Sequence, residues 1–214
     1  MNTLSHVPRK RFGQHFLHDS GVVARIIRAL DPRPGDRLVE IGPGLGAMTL
    51  PLLQQTSQLT VVELDRDVIP HLERTCRHSG QLTVIQADAL TVDFRNIAAQ
   101  LGGPLRITGN LPYNISTPLL FHLLDQLHPP GEESGPLLIQ DMLFMLQREV
   151  VERMAALPGS PHYGRLSVML QLRCQVERLF TVGAGSFRPP PKVESAIVRP
   201  VSYTHLTLPT ILLV

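Results

Sequence analysis

Four short apolar segments of the sequence each end in a glycine or a polar residue that can face a ligand. Gly42, Glu63, Asp88 and Asn110 stand at these four ends. Residues 40–47 read EIGPGLGA, and glycines in such a loop let the backbone approach a ligand while helix N–H groups face it. About twenty residues further on, the Glu63 carboxylate can accept hydrogen bonds from both hydroxyls of a ribose. The four ends in series predict a site for a nucleoside-containing cofactor.

Two of these positions distinguish between cofactors. The glycine loop and Glu63 fit both NAD and S-adenosylmethionine (SAM). Asp88 is suitably placed to accept a hydrogen bond from an adenine amino group, and Asn110 opens the turn NLPY. Each acidic residue alone is better explained as a helix N-cap or a solvated turn residue, and the glycine loop alone fits a tight turn. Together the four positions favour SAM.

The turn made of Asn110, Leu111, Pro112 and Tyr113 has residue types suited to activating an exocyclic adenine amine. The lone pair of that amine is delocalised into the ring, so the amine is a poor nucleophile. The Asn110 amide oxygen can accept one of its N–H groups, and a backbone carbonyl beside Pro112 the other. Tyr113 offers a flat face for an extruded base. A type I turn with a core tyrosine is the alternative interpretation of these residues.

Two further segments carry residues that favour a nucleic-acid substrate. Residues 187–193 (FRPPPKV) present Phe187 beside basic groups, although a polyproline connector fits the same composition. Residues 9–17 (RKRFGQHFL) mix basic and aromatic side chains, and a disordered basic leader is the alternative there. His15 and the neighbouring histidines lack a carboxylate partner at helical spacing, so we expect no metal site.

An alternating pattern of strands and helices must position these residues. Strands are predicted over residues 37–42, 58–65, 82–88, 105–110, 136–140, 174–182 and 193–201. Helices are predicted over residues 20–30, 46–55, 66–77, 93–101, 117–127 and 142–157. This alternation is typical of an α/β fold with a mostly parallel sheet covered on both faces, and the last two strands predict an antiparallel pair at its edge.

Composition excludes several other classes of protein. The 214 residues include 20 Lys and Arg against 18 Asp and Glu, and 43% are hydrophobic, which excludes disordered and collagen-like chains. No apolar run is long enough to span a bilayer, and residues 1–11 lack the apolar core of a signal peptide. We therefore expect a cytoplasmic, monomeric protein without membrane contact. Cys76 and Cys174 are isolated, which argues against a disulfide framework or structural zinc.

The motifs taken together resemble the ribosomal RNA adenine N6-dimethyltransferase family, and most closely its bacterial small-subunit members. The matching stretches are RKRFGQHFL (9–17), VEIGPGLGAMT (39–49), VVELDRD (61–67), QADAL (86–90), GNLPYNISTPLLFHLL (109–124), MLQREVVERM (145–154), YGRLSVM (163–169) and FRPPPKVESAIVRP (187–200). The resemblance implies a Rossmann-like, SAM-dependent methyltransferase that dimethylates two adjacent adenines near the 3′ end of 16S rRNA, with a role in small-subunit maturation.

The resemblance also assigns residues. It implies SAM contacts at His15, Leu17, Gly42, Glu63, Asp88 and Asn110. It implies that Asn110, Tyr113 and Phe187 hold the acceptor adenine, with Leu111 and Pro112 completing the catalytic turn. His15 stands where asparagine is also common in the family, and either side chain can form a hydrogen bond.

The resemblance divides the chain into three parts. Residues 1–18 are expected to form a basic N-terminal arm, residues 19–200 the methyltransferase domain, and residues 201–214 an atypical tail. The family continues into a small helical C-terminal lobe that residues 201–214 do not resemble, so a C-terminally truncated chain is expected.

Three alternative functions remain open from the sequence. The first is a 23S rRNA adenine methyltransferase of the antibiotic-resistance branch, against which the extended NLPYNISTPLL segment argues. The second is a non-catalytic ribosome-assembly factor on the same fold, against which the intact Asn110 and Tyr113 argue. The third is an NAD dehydrogenase, which Asp88 and the NLPY turn disfavour.

Overall fold

The computed structural model describes residues 15–132 and 135–203, and these form an α/β fold around a seven-stranded sheet. The described residues form nine strands, of which β1 and β8 make a separate two-stranded sheet: β1 (Phe16–Leu17), β2 (Leu38–Ile41), β3 (Gln58–Glu63), β4 (Gln81–Gln86), β5 (Leu105–Asn110), β6 (Ile139–Gln147), β7 (Cys174–Val182), β8 (Phe187–Arg188) and β9 (Ser195–Ser202). Its α-helices are α1 (Ser20–Leu30), α2 (Thr49–Thr56), α3 (Ile69–Cys76), α4 (Phe94–Leu101), α5 (Ser116–Leu124), α6 (Arg148–Met154) and α7 (Arg165–Gln171).

The main sheet has the order β4-β3-β2-β5-β6-β9-β7. The pairings from β4 through β6 are parallel, whereas β9 pairs antiparallel with both β6 and β7. This confirms the predicted parallel sheet with an antiparallel pair at one edge. The chain order reverses at β2, and in sheets of this kind ligands bind outside the carboxyl ends of the strands at such a reversal.

Two apolar cores cover the two faces of the sheet. Successive residues of a strand point to opposite faces, so a strand buried on both sides is apolar throughout. In β6, Met142 and Phe144 pack into the core shared with α4 to α7, whereas Leu143 and Met145 pack into the core shared with α1 to α3.

This packing explains where the sequence-based assignment of β6 was wrong. The helix predicted over residues 142–157 begins only at Arg148, and residues 142–147 extend the strand. A continuous apolar run fits a buried helix and a buried strand equally well, and here pairing with β5 and β9 decides in favour of the strand. Helix α7 was not predicted at all.

The N-terminal arm joins the fold through a two-stranded sheet. Phe16 pairs with Arg188 and Leu17 with Phe187. Asp19 then caps α1, because its carboxylate accepts hydrogen bonds from the backbone N–H groups of the first helical turn. The basic part of the arm, residues 9–11, lies outside the described residues.

The strand at the other end of the chain continues past the expected domain boundary. β9 runs through Val201 and Ser202, and the Tyr203 N–H donates to the Arg173 carbonyl at 3.0 Å. Residues 204–214, the remainder of the expected tail, lie outside the described residues. Across the described ranges, none of the helices combines the length and apolarity needed to cross a bilayer.

A buried ion-pair network ties the amino-terminal ends of the central strands to the end of α1. Arg106 donates to both carboxylate oxygens of Asp141, at 2.8 and 3.0 Å, and to Asp36 at 2.6 Å. It also donates to the Leu30 carbonyl at 2.6 Å. Arg199 adds a second cation to Asp141 at 3.0 Å. The network joins β5, β6 and β9 at the end of the sheet opposite the predicted site.

Candidate active site

A cavity of about 160 Å³ opens at the carboxyl ends of the strands, next to β1. Nine of the ten predicted site residues line it: His15, Leu17, Gly42, Glu63, Asp88, Asn110, Leu111, Pro112 and Tyr113. The fold therefore brings the predicted strand-end residues together in one crevice. The tenth, Phe187, does not line the cavity.

The glycine loop forms the edge of this cavity. Gly44 has a φ of +52°, in the left-handed region that side chains disfavour. A Cβ at this position would lie 3.0 Å from the Phe16 ring, so the arm packs directly on the loop backbone. Because of this close approach, residues of the arm and of the glycine loop line the same cavity.

Glu63 is buried and holds its carboxylate against the loop. Its two oxygens accept hydrogen bonds from the backbone N–H groups of Asp65 at 2.8 Å and of Gly44 at 3.1 Å. Burial raises the pKa of Glu63, while these two hydrogen bonds act in the opposite direction. Each carboxylate oxygen has two lone pairs, so each retains one acceptor position. Glu63 can therefore accept from the two hydroxyls of a ribose.

Asp88 lines the cavity while also stabilising its own turn. Its Oδ1 atom accepts a hydrogen bond from the Leu90 N–H at 3.0 Å. The carboxylate thus has a local structural role of the kind that the sequence left open. Its Oδ2 atom is a second acceptor, which could take a hydrogen bond from an adenine amino group.

Glu40 is a cavity residue that the sequence reasoning did not select. It is 2% exposed, and its Oε2 atom has no hydrogen-bond partner among the described residues. Burial, together with the nearby Glu63 carboxylate, raises the pKa of Glu40 to about 8. The feature of the sequence that could have identified Glu40 is a carboxylate inside a segment that is otherwise apolar. A buried carboxyl oxygen without a partner is tolerated when the group is protonated and neutral.

The raised pKa of Glu40 predicts a pH-dependent stability. Its pKa is about 8 in the folded state and 4.5 as a reference for the unfolded state. Between these values the unfolded chain loses the proton and the folded chain keeps it, so the free energy of unfolding falls as pH rises. Glu40→Gln should remove this fall, which amounts to on the order of a few kcal/mol. Urea denaturation of the parent and of Glu40→Gln at about pH 5 and about pH 8.5 measures the free energy of unfolding of each. If the two proteins differ by the same free energy at both pH values, Glu40 is not protonated in the folded state.

Asn110 has its side-chain amide fixed by the N-terminal arm. Its Nδ2 atom donates to the His15 backbone carbonyl at 3.0 Å. A carbonyl oxygen only accepts, so the NH₂ group must face His15 and the Oδ1 atom must lie on the other side of the amide. The oxygen that the predicted chemistry needs is thereby oriented as an acceptor.

Tyr113 is held at three points. Its hydroxyl lies 2.8 Å from the Ser195 hydroxyl, and its carbonyl accepts from the Ser116 hydroxyl at 3.1 Å. Its ring centroid lies 5.7 Å from that of His15, at an interplanar angle of 30°. His15 in turn donates from Nδ1 to the Pro189 carbonyl at 2.8 Å. Burial raises the pKa of the Tyr113 hydroxyl, so the phenol stays neutral.

Phe187 lies beneath the arm rather than in the cavity. Its side chain is 2% exposed and packs in the same core as Leu17, its partner across β1 and β8. The expected stacking of Phe187 on the acceptor base therefore stays a prediction, and it requires the base to reach this ring past the arm.

Comparisons with known proteins agree with this fold. Residues 5–208 match the family model described as ribosomal RNA adenine dimethylase. The ribosomal RNA small subunit methyltransferase A of Nitrosococcus oceani is 54% identical over 211 residues, which cover 99% of this chain and 76% of that protein.

Two crystal structures share the fold at a TM-score of 0.75. A dimethyladenosine transferase from Plasmodium falciparum is 32% identical, and the alignment covers 88% of this chain and 64% of that chain. The 23S rRNA methyltransferase ErmE is 27% identical, with 90% and 72% covered. The α/β sheet with its antiparallel edge is thus a methyltransferase fold. On the family match and the 54% identity, the chain belongs to the ribosomal RNA adenine dimethylase family.

Proposed function

We propose that this protein transfers methyl groups from SAM to the N6 amines of two adjacent adenines near the 3′ end of 16S rRNA in the small ribosomal subunit. The observation that carries the proposal is the orientation of Asn110 by the His15 carbonyl, in the same cavity as Glu63 and the glycine loop. The identity of 54% to a small subunit methyltransferase, against 27% to a 23S rRNA methyltransferase, favours the small-subunit substrate.

The cavity residues fit SAM as the methyl donor. The remaining acceptor positions of Glu63 suit the ribose hydroxyls, and Asp88 suits the adenine amino group. His15, Leu17, Gly42 and Asn110 would complete the contacts, since they line the same cavity. Bound SAM supplies an electrophilic methyl group on a sulfonium centre.

The NLPY turn would prepare the acceptor nitrogen. The Asn110 Oδ1 atom accepts one N–H of the adenine N6 amine, and a backbone carbonyl beside Pro112 accepts the other, which builds lone-pair character on nitrogen. Tyr113 stacks on the extruded base and aligns it. The nitrogen so held would attack the methyl carbon that bound SAM supplies, with the sulfide as leaving group and the amine proton passing to water. Positioning supplies most of the acceleration in such an in-line displacement.

The proposal is tested with small subunits that lack these methyl groups. The purified chain is incubated with SAM carrying a tritiated methyl group, and labelled rRNA is digested to nucleosides. We expect N6,N6-dimethyladenosine from two adjacent positions near the 3′ end of 16S rRNA, and no label in 23S rRNA of large subunits. Label in 23S rRNA would favour the antibiotic-resistance branch, and SAM binding without any transfer would favour a non-catalytic assembly factor.

Glu63→Ala should weaken SAM binding. It removes both proposed acceptors of the ribose hydroxyls, and loss of hydrogen bonds to a charged group costs about 1.5–3 kcal/mol, or roughly ten- to a hundredfold in affinity. Isothermal titration calorimetry with SAM measures the change. Glu177→Ala, on β7, serves as a control because Glu177 does not line the cavity. Equal affinity of Glu63→Ala and the parent would show that the ribose lies elsewhere.

A further inference from the structure

Ser195 is a buried hydroxyl for which the proposed chemistry has no use so far. It is 0% exposed and is the first residue of β9. Its main chain is held from both sides, opposite Gln147 of β6 and Val182 of β7. Its side chain has a single rotatable bond between Cα and Cβ, so the position of the hydroxyl oxygen is nearly fixed by the sheet.

Among the described residues, this hydroxyl has one hydrogen-bond partner, the Tyr113 hydroxyl at 2.8 Å. Tyr113 itself belongs to the loop between β5 and α5, which lacks the support of strand pairing. The Ser116 hydroxyl fixes the Tyr113 carbonyl, and the His15 ring lies near one part of the phenol ring. Neither contact fixes rotation of the ring about its bond to the backbone as well as a hydrogen bond at its far end does.

We propose that Ser195 is a positioning residue that sets the plane of the Tyr113 ring for stacking on the acceptor base. This inference rests on the proposed function, in which Tyr113 stacks on an extruded adenine. Ser195 lies on β9, the central one of three paired strands. Through one hydrogen bond it transfers the rigidity of the sheet to a loop residue. A ring held in this way loses little conformational entropy when the base binds.

The inference makes Ser195 and Tyr113 act as a pair. Ser195→Ala and Tyr113→Phe each remove the hydrogen bond and keep the aromatic ring. Each should lower the single-turnover rate of methyl transfer by about 3- to 10-fold, the range expected for one buried hydrogen bond. The double variant should lose no more than either single variant, since the same bond is removed. KM for small subunits and the affinity for SAM should change little, because neither hydroxyl is assigned a ligand.

Single-turnover methylation of small subunits by the parent and the three variants tests the pairing. Ser202→Ala is the matched control, because Ser202 is a buried serine at the other end of β9, next to Cys174. Its rate should equal that of the parent. If the losses from Ser195→Ala and Tyr113→Phe multiply in the double variant, or if Ser195→Ala reacts at the parental rate, Ser195 does not position Tyr113 and the inference is wrong.

A second readout separates positioning from loss of folding. An RNA fragment of the acceptor region with 2-aminopurine at the target adenine reports stacking through quenching of its fluorescence. Quenching should be weaker with Ser195→Ala than with the parent, while the thermal unfolding midpoint of the variant and its SAM affinity identify any folding defect. Equal quenching would overturn the inference. Failure of the parent to methylate any rRNA would instead overturn the proposed function, so the two results are distinguishable.

Discussion

Asn110→Ala should reduce methyl transfer by on the order of 10² to 10³, because its oxygen accepts a hydrogen bond that strengthens as the amine attacks. Interactions made mainly in the transition state lower kcat when removed and leave substrate binding almost unchanged. Single-turnover transfer from SAM to small subunits measures the loss. Filter binding of small subunits should give an affinity close to that of the parent. Calorimetry should show a modest loss of SAM affinity, because Asn110 is also a proposed SAM contact.

Two further variants define the role of the amide. Asn110→Asp keeps an acceptor but loses the Nδ2 donor that faces the His15 carbonyl, so it should also be strongly impaired. Asn96→Ala on α4 changes an exposed asparagine outside the cavity and should react at the parental rate. Full turnover by Asn110→Ala would remove Asn110 from the proposed chemistry.

Arg106→Leu should lower the free energy of unfolding by about 3–5 kcal/mol, since it strips a buried carboxylate of its main partner. The Asp141 side chain is 4% exposed and would retain only Arg199. Chemical denaturation at neutral pH measures the effect. Arg33→Ala, which breaks an exposed pair with Asp31, should change stability by no more than about 1 kcal/mol.

A compensated variant tests the reason for this loss. Replacing Arg106 and Asp141 together by leucine and asparagine removes the uncompensated charge, and part of the lost stability should return. If Arg106→Leu unfolds within about 1 kcal/mol of the parent, the network contributes little and the strand ends are held by apolar packing alone.

The residues that the sequence located best are those at strand ends. Glu63, Asp88 and Asn110 each stand at the end of an apolar segment. The carboxyl ends of parallel strands meet at one edge of the sheet, so the convergence of these residues follows from the fold class. Glu40 was not predicted as a cavity residue because it lies inside such a segment. Only the tertiary structure shows that its Oε2 atom lacks a partner.

Other contacts depend on pairings between distant parts of the chain. The hydrogen bond from Asn110 to the His15 carbonyl exists because β1 pairs with β8, and two-residue strands leave no periodic signal. The contact between Tyr113 and Ser195 depends on β9 lying next to β6. The apolar run of β6 was assigned partly to a helix for the same reason, since its two partner strands are remote in sequence.

The position of β9 also constrains how the protein can fold on the ribosome that makes it. β6 presents an unpaired edge until β9 is synthesised, roughly fifty residues later, which takes several seconds at typical elongation rates. During that interval the half-built sheet has an open hydrogen-bonding edge rich in methionine and leucine, which is exposed to chaperones and to neighbouring chains. The same strand delivers Ser195 to Tyr113, so a nascent chain acquires its complete acceptor loop only at the step that closes this edge.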